Sequence, residues 1–431
     1  MKLNRYRRNP VEFVQNELHE TPSEDQAKLL MDMANMDKRF FILSAGRGAG
    51  KTKVVSWIVA WSTACLQDTF GEYSTTILGG SYDQSRIMYR YFHDHIYQTK
   101  YLEGRLLGDP TKGETNFQGG YVRALTASER AVRGPHPELL ILDEVCATDD
   151  EIVQSALPMI AGSRHGRVIM LSTPHKFFGL FQTYWNNAEL YEYHKHGPWS
   201  LEKCWWIDQR LIALWKEQYT PIRYGVEILG IPAQGGALVF NSEWLDECIA
   251  PEPFGLNLNY GHDGGIDWGH VNPSVLVRLQ SYKGKLWIPG PEMRWQYERF
   301  PMIQDDIKNE YLTKRGETYY ADASHTGEND RMEDNKINTE RVIWTDKLKP
   351  ALAELAQFLI YKKMIRISPD NRALIKAMRL YRWEEAKSGG KEKLTKTDAD
   401  DVEAFLLSLY SLHESGFMGR AQETEDRPIA L

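Results

Sequence analysis

The stretch Ser44–Thr52, Ser-Ala-Gly-Arg-Gly-Ala-Gly-Lys-Thr, has the residue types and spacing of a phosphate-binding loop. Gly46, Gly48 and Gly50 let the backbone turn tightly and aim its N–H groups at one anion, with Arg47 and Ala49 between them. Lys51 and the start of the next helix add positive potential, and Thr52 offers a hydroxyl to a nucleotide's Mg2+. Ala45 stands where such loops usually have glycine. Downstream, the apolar run Glu138-Leu-Leu-Ile-Leu-Asp-Glu144 ends in two carboxylates. Asp143 suits the Mg2+ water shell of ATP, and Glu144 suits the polarisation of the attacking water. Acidic residues often cap strand ends, but a buried apolar strand ending in Asp-Glu after Gly-Lys-Thr is the pattern of an ATPase.

Three further segments belong with this chemistry. Arg167-Val-Ile-Met-Leu-Ser-Thr-Pro174 ends in hydroxyls that would lie beside the γ-phosphate, Ser172 and Thr173, although Ser-Thr-Pro is also an ordinary turn. Arg133, in Arg130-Ala-Val-Arg-Gly-Pro135, suits stabilisation of the transferring phosphoryl group in its own subunit or a neighbour's. Gln26 follows a capping-type start, Thr21-Pro22-Ser23; it either serves the helix cap or reads the adenine edge with its amide.

The second half carries a separate set of carboxylates. Asp267 lies between Ile266 and Trp268, where an unpaired charge is costly and calls for a cation. Asp322 ends Thr318-Tyr-Tyr-Ala-Asp and adjoins Asp267 if the two strands pair in parallel. Asp398-Ala-Asp-Asp401 heads a helix whose apolar face is Val402, Phe405, Leu406 and Leu409; helical phase turns Asp398 and Asp401 towards that face, while a cap position leaves Asp400 open as the ligand. Together these residues could hold two Mg2+ ions about 4 Å apart for in-line attack on a phosphodiester.

The elements that must position these groups are legible in outline. Arg39–Leu43 is expected as a buried strand before the loop and Lys53–Leu66 as the helix after it, with further strands at 74–80, 120–125, 138–144 and 167–174 in βαβ rhythm. The tryptophans between Tyr184 and Tyr224 point to interdomain packing more than to base stacking, because few basic residues interleave with them. Gly230-Ile-Pro-Ala-Gln-Gly-Gly236 reads as a domain linker. After it, strands at 261–269, 274–279 and 285–288 form an antiparallel meander through the turn Tyr282-Lys-Gly, followed by alternating helices and strands. That order is the one of a ribonuclease-H-like nuclease. The expected fold class is α/β: an ATPase domain over 1–228 with a largely parallel sheet and a helical segment at 1–38, a linker over 229–252, a mixed-sheet domain over 253–415, and a tail over 416–431.

A chain of 431 residues is long enough for two or three cores without staples. Cys65, Cys146, Cys204 and Cys248 lack paired spacing, which points to packing roles in a reducing compartment. No run approaches the length of a membrane span, and no leader is evident behind Arg5, Arg7 and Arg8, so a soluble, unexported chain is expected. The net charge of −7 opposes a surface that is basic throughout; any nucleic-acid contact must be local, at the N-terminal arginines or at Lys387–Lys396.

The residues together resemble the large terminase subunits of tailed double-stranded DNA bacteriophages, over nearly the whole chain. The resemblance rests on Gly46–Thr52 with its internal Arg47, on Ile141-Leu-Asp-Glu144, Ser172-Thr-Pro174, Gly265-Ile-Asp-Trp-Gly269, Ala321-Asp322 and Asp400-Asp401 before a helix. It implies an ATP-driven genome-packaging motor joined to a nuclease. Lys51, Thr52, Asp143 and Glu144 would carry ATP hydrolysis, Arg133-Gly134 would be the arginine-finger segment, and Asp267, Asp322 and the 400/401 pair would be metal ligands, with Asp401 the favoured inner one. Glu403 stands where aspartate is frequent. The implied cofactors are ATP and Mg2+, with Mn2+ able to substitute in the nuclease. The implied partners are double-stranded DNA, the portal protein of the procapsid, a small terminase subunit and further copies of the chain in a ring, all in the host cytoplasm.

Overall fold

A computed structural model describes residues 2–128, 136–233, 238–253, 256, 263–269, 272–296, 298, 300–311, 317–385, 392–395 and 399–417. The chain divides into two compact units, Met1–Gly235 with Glu385–Glu392, and Gly236–Glu384 with Lys393–Leu431.

The first unit is built on seven strands: β1 (Phe40–Ala45), β2 (Thr75–Gly79), β3 (Glu114–Phe117), β4 (Gly120–Thr126), β5 (Leu139–Asp143), β6 (Arg167–Ser172) and β7 (Tyr193–Trp199). They lie in the order β3-β4-β2-β5-β6-β1-β7, and every pair except β3–β4 is parallel. β2, β5 and β6 are buried along their whole length, and β5 and the middle of β6 read as apolar runs, while β2 also buries Thr75 and Thr76. Two strands escape a reading of periodicity. β3 is a short antiparallel partner turned back by Gly119, and β7 is an edge strand whose Tyr-His-Lys-His-Gly-Pro-Trp contains a proline tolerated only at an edge or an irregularity. Trp199 lies in the core of this unit and Trp185 and Trp215 pack against it, while Trp205 is 72% exposed, so these rings serve the first unit's own interior and surface.

β7 brings a buried histidine into the sheet. His196 sits opposite Leu43, with its Nε2 3.3 Å from Asp32 Oδ2 but no hydrogen bond between them. Burial, resisted by Asp32 and aided by Lys28, Lys38 and His194, pushes the ring's pKa from 6.5 down to about 4. Between those values the unfolded chain binds a proton that the folded chain refuses. The stability of this unit is therefore expected to fall as pH falls through that window, by about 3 kcal/mol at most, and to level off below it. Denaturant unfolding at pH 7 and pH 4.5 should show a shallower pH dependence for His196→Gln than for the wild type; equal slopes would assign the acid sensitivity elsewhere.

The second unit has β8 (Asp263–Asp267), β9 (Ser274–Tyr282), β10 (Lys285–Ile288), β11 (Met293–Trp295), β12 (Thr318–Asp322), β13 (Thr339–Val342) and β14 (Ile365–Ile367). The order is β13-β12-β8-β9-β10-β14, with β11 also on β9. β8, β9 and β10 run antiparallel, while β12, β13 and β14 join in parallel, giving a mixed sheet. Lys283 and Gly284, both at positive φ, make the β9–β10 turn. Residues 238–252, expected as linker, belong to this unit: Val239 and Phe240 are core residues, and helix Ser242–Cys248 packs on helix Leu348–Tyr361. The earlier part of the expected linker is also fixed, because Ser44 Oγ donates to the Gly230 carbonyl at 2.7 Å.

Candidate active sites

In the first unit, β1, β5 and β6 end side by side, and this places the phosphate loop next to the two carboxylates and two hydroxyls named from sequence. The loop follows β1 and opens helix Lys51–Cys65, whose preceding Gly50 is left-handed at φ 82°. Gly46 admits no side chain, since a Cβ there would lie 2.5 Å from the Ile228 carbonyl oxygen. The N–H of Gly46 donates to the Trp199 carbonyl and that of Arg47 to the Glu227 carbonyl. The Arg47 guanidinium, 79% exposed, also lies 3.3 Å from the Glu227 carboxylate.

Lys51 is almost fully buried and donates to Thr173 Oγ1 at 2.7 Å, with Glu144 Oε1 at 3.2 Å. Glu144 Oε2 accepts from the Thr173 N–H at 3.3 Å and the Ser172 hydroxyl at 3.4 Å. Glu144 adopts a left-handed backbone, φ 50° and ψ 50°, at the end of β5, a conformation that costs a non-glycine residue energy and re-aims its side chain. Asp143 is 5% exposed and accepts from the Glu144 N–H; burial first, then Glu144, pushes its carboxyl up to about 7 against the pull of Lys51. Gln26 completes a capping box with Ser23 and also donates from Nε2 to the Gly50 carbonyl at 3.3 Å. Its amide therefore ties the N-terminal helix to the loop, and contact with an adenine would require exchanging one of these bonds. Arg133 and Gly134 lie outside the described residues.

In the second unit, Ala321 stands level with Ile266 in the parallel β12–β8 pair, so Asp322 and Asp267 emerge together. Helix Asp400–Ser408 lies on β8 because of a glycine: a Cβ on Gly265 would fall 1.9 Å from the Ala404 carbonyl oxygen. That close approach brings the head of the helix to the end of β8. Asp267 is pushed up to about 8, first by burial, then by the negative charges of Glu403 and Asp400 and, more weakly, of Asp322; Lys349 opposes the rise. Asp400 accepts from Asn272 Nδ2 at 3.3 Å, and burial raises its carboxyl too. Glu403 is paired with Lys349.

Asp401 behaves differently from its neighbour. It is 5% exposed, as helical phase requires, but one of its oxygens is taken by Arg294 and the other, Oδ1, is buried without a partner among the described residues. The negative charges that raise Asp267 most are those of Glu403 and Asp400, while Asp401 is tied to Arg294. Inward on this helix thus means towards Arg294, and the residues gathered around Asp267 are Asp322, Asp400 and Glu403. Among the described residues no three His, Cys, Asp or Glu side chains stand close enough together, as placed, to enclose an ion. Asp398 lies outside the described residues, as do 387–391 and 396 of the basic loop and 418–431 of the tail.

No protein-family model matches the sequence, and no curated protein does either. Solved structures do. The large terminase of a thermophilic bacteriophage, in one crystal form, superimposes with a TM-score of 0.52 over 91% of this chain and 100% of its own, at 17% identity. A second crystal form of the same protein gives 0.50 over 91% and 99%, at 16% identity.

The fold is that of a phage large terminase.

Within that terminase fold, several residues around the sites carried no mark in the sequence. Trp206 donates from its indole to the Gly48 carbonyl at 3.1 Å, and Glu227 lies beside Arg47; both are remote in sequence from the loop they touch. Glu403 had a local signal, since it stands three residues after Asp400 and shares its helical face. Lys349 and Arg294 had none. No helix among the described residues is long and apolar enough to cross a membrane.

Proposed function

We propose that the chain is the large subunit of a phage terminase, hydrolysing ATP in its first unit to drive double-stranded DNA into a procapsid and cutting that DNA with its second. The reading is supported by one chain of terminase fold gathering, in each of its compact units, residues suited to phosphate chemistry: Lys51, Glu144 and Thr173 in the first, the carboxylates around Asp267 in the second.

In the first site, Lys51 and the loop N–H groups other than those of Gly46, Arg47 and Ala49, which are bonded within the protein, bind the phosphates, which requires Lys51 to leave Glu144 and Thr173 for the nucleotide. Glu144, released, is free to take up the proton of the attacking water. Ser172 and Thr173, hydrogen-bonded to Glu144, register whether the phosphate is present. Arg133 adds charge to the transferring phosphoryl group, in this subunit or a neighbour's. Thr52 and Asp143 are the residues that would hold Mg2+, and the fit is supported by Asp143 itself, a buried acid whose charge Lys51 offsets only in part. Mg2+, when bound, neutralises charge on the phosphates.

In the second site, Asp267, Asp322, Asp400 and Glu403 would hold Mg2+ or Mn2+. The crowding of negative charge around Asp267, opposed by Lys349, suits a cation. Such ions supply Lewis acidity and an activated water to phosphodiester hydrolysis. The expected partners are the portal, a small terminase subunit and copies of this chain in a ring. A second reading, in which this unit docks DNA or the portal without cutting, draws on the spread of the four carboxylates.

The test uses the full-length chain. ATP hydrolysis should require Mg2+ and rise with added DNA, and plasmid should be cut with Mn2+ even when ATP is replaced by a non-hydrolysable analogue. No ATP turnover with metal and DNA present would overturn the motor; turnover without cutting would select the docking reading.

A further inference from the structure

Resting on the nuclease reading above, we propose that Arg294, held by Asp401, is the cation that receives the charge of the scissile phosphate, and that Asp401 is its positioning residue. The sheet register sets up the pair. Asp267 on β8 is opposite Val275 on β9, and Val275 is opposite Arg294 on β11. Residues opposite one another in antiparallel strands share a face, so Asp267, Val275 and Arg294 form a row across neighbouring strands about 5 Å apart. Helix Asp400–Ser408 lies over β8 and β9, and its first turn brings Asp400 and Asp401 to this row. Asp400 is thereby placed with Asp267, and Asp401 with Arg294.

Exposure separates the two partners. The Asp401 side chain is 6% exposed and the Arg294 side chain 36%, so the arginine, unlike the acid that holds it, reaches solvent. Among the described residues, only one of its N–H groups has an acceptor, at Asp401 Oδ2. The rest of the planar fork remains available for the paired oxygens of a phosphate, a geometry that lysine does not offer. Stability does not explain the arrangement. A buried carboxylate with one oxygen unpartnered costs free energy, and an apolar pair of the same size would pack without that cost. Fixing the direction of Arg294 explains it: Asp401 removes the conformational freedom of a long side chain before the phosphate arrives.

The test measures plasmid cutting by full-length Arg294→Gln, Arg294→Lys, Asp401→Asn and Asp267→Asn across DNA, salt and Mn2+ concentrations. Arg294→Gln is expected to cut about 10²-fold or more slowly and to lose roughly one charge from the salt dependence of DNA binding. Arg294→Lys should regain the salt dependence but only part of the rate. Asp401→Asn should slow cutting with its half-saturating Mn2+ unchanged, because it would loosen the arginine and not the metal. The double variant Arg294→Gln/Asp401→Asn leaves no stranded charge; folded by thermal unfolding, it should cut no worse than Arg294→Gln alone. Cutting by Arg294→Gln or the folded double variant within twofold of wild type, while Asp267→Asn is inactive, overturns the proposal. So does a raised Mn2+ requirement for Asp401→Asn, which would make Asp401 a ligand. If Asp267→Asn itself cuts, the nuclease reading fails first.

Discussion

Glu144→Gln is expected to bind ATP and turn it over about 10²- to 10⁴-fold more slowly, the range spanned by the loss of a positioned general base. The substitution keeps the size of the side chain and one oxygen for the Thr173 N–H and Ser172 hydroxyl, and removes the charge that faces Lys51. Binding should therefore hold or tighten, since Lys51 no longer has to leave a carboxylate to reach the phosphates. Lys51→Ala differs. It should lose both binding and turnover, and it leaves Asp143 and Glu144 facing each other without a cation, so the first unit should also unfold more readily. Steady-state kinetics beside nucleotide titrations distinguish the two. Glu144→Gln turning over at wild-type rates would remove Glu144 from the catalytic role.

The second large effect is on DNA. Asp267→Asn should reduce plasmid cutting by more than about 10³-fold while ATP hydrolysis stays near its original rate, because a metal-holding carboxylate is lost and the nucleotide site is built from other residues. The exchange is nearly isosteric. It also removes a carboxyl whose pKa is pushed up to about 8 by burial and by Glu403, Asp400 and Asp322, a group that is harder to ionise in the folded chain than in the unfolded one, so the variant is expected to be at least as stable as the parent. A thermal unfolding curve recorded with the cutting assay separates lost chemistry from lost fold. Cutting at wild-type rates would end the two-metal reading and leave the second unit as a docking module.

What the sequence determined by itself was the chemistry available and the central strands. β1, β5 and β6 are almost entirely buried, so apolar residues dominate them, and residues that end β5 and β6, Asp143, Glu144, Ser172 and Thr173, stand out from the composition before them. The phosphate loop is a local object whose glycines and lysine do their work within nine consecutive residues. The same holds for the β9–β10 hairpin, set by a Lys-Gly turn. The edge strand β7 and the short β3 and β11 were not legible, because their pairing is decided by neighbours far along the chain and their own patterns are polar or too brief.

Only the tertiary structure decided which carboxylates keep company. A one-dimensional phase places Asp401 on the buried side of its helix and Asp400 on the other, and burial agrees with that phase. Phase carries no information on what the buried side meets. Gly265 lets the helix lie so close to β8 that its head reaches past the strand end, where Asp400 and Glu403 act on Asp267 and Asp401 meets Arg294 from β11. Likewise, the amide of Gln26 and the indole of Trp206 reach the phosphate loop from 24 and 158 residues away in the chain. Hydrogen bonds and charges act through space over a few ångströms, so a residue type can be read from the chain while its partner is set only by the packing that brings distant segments together.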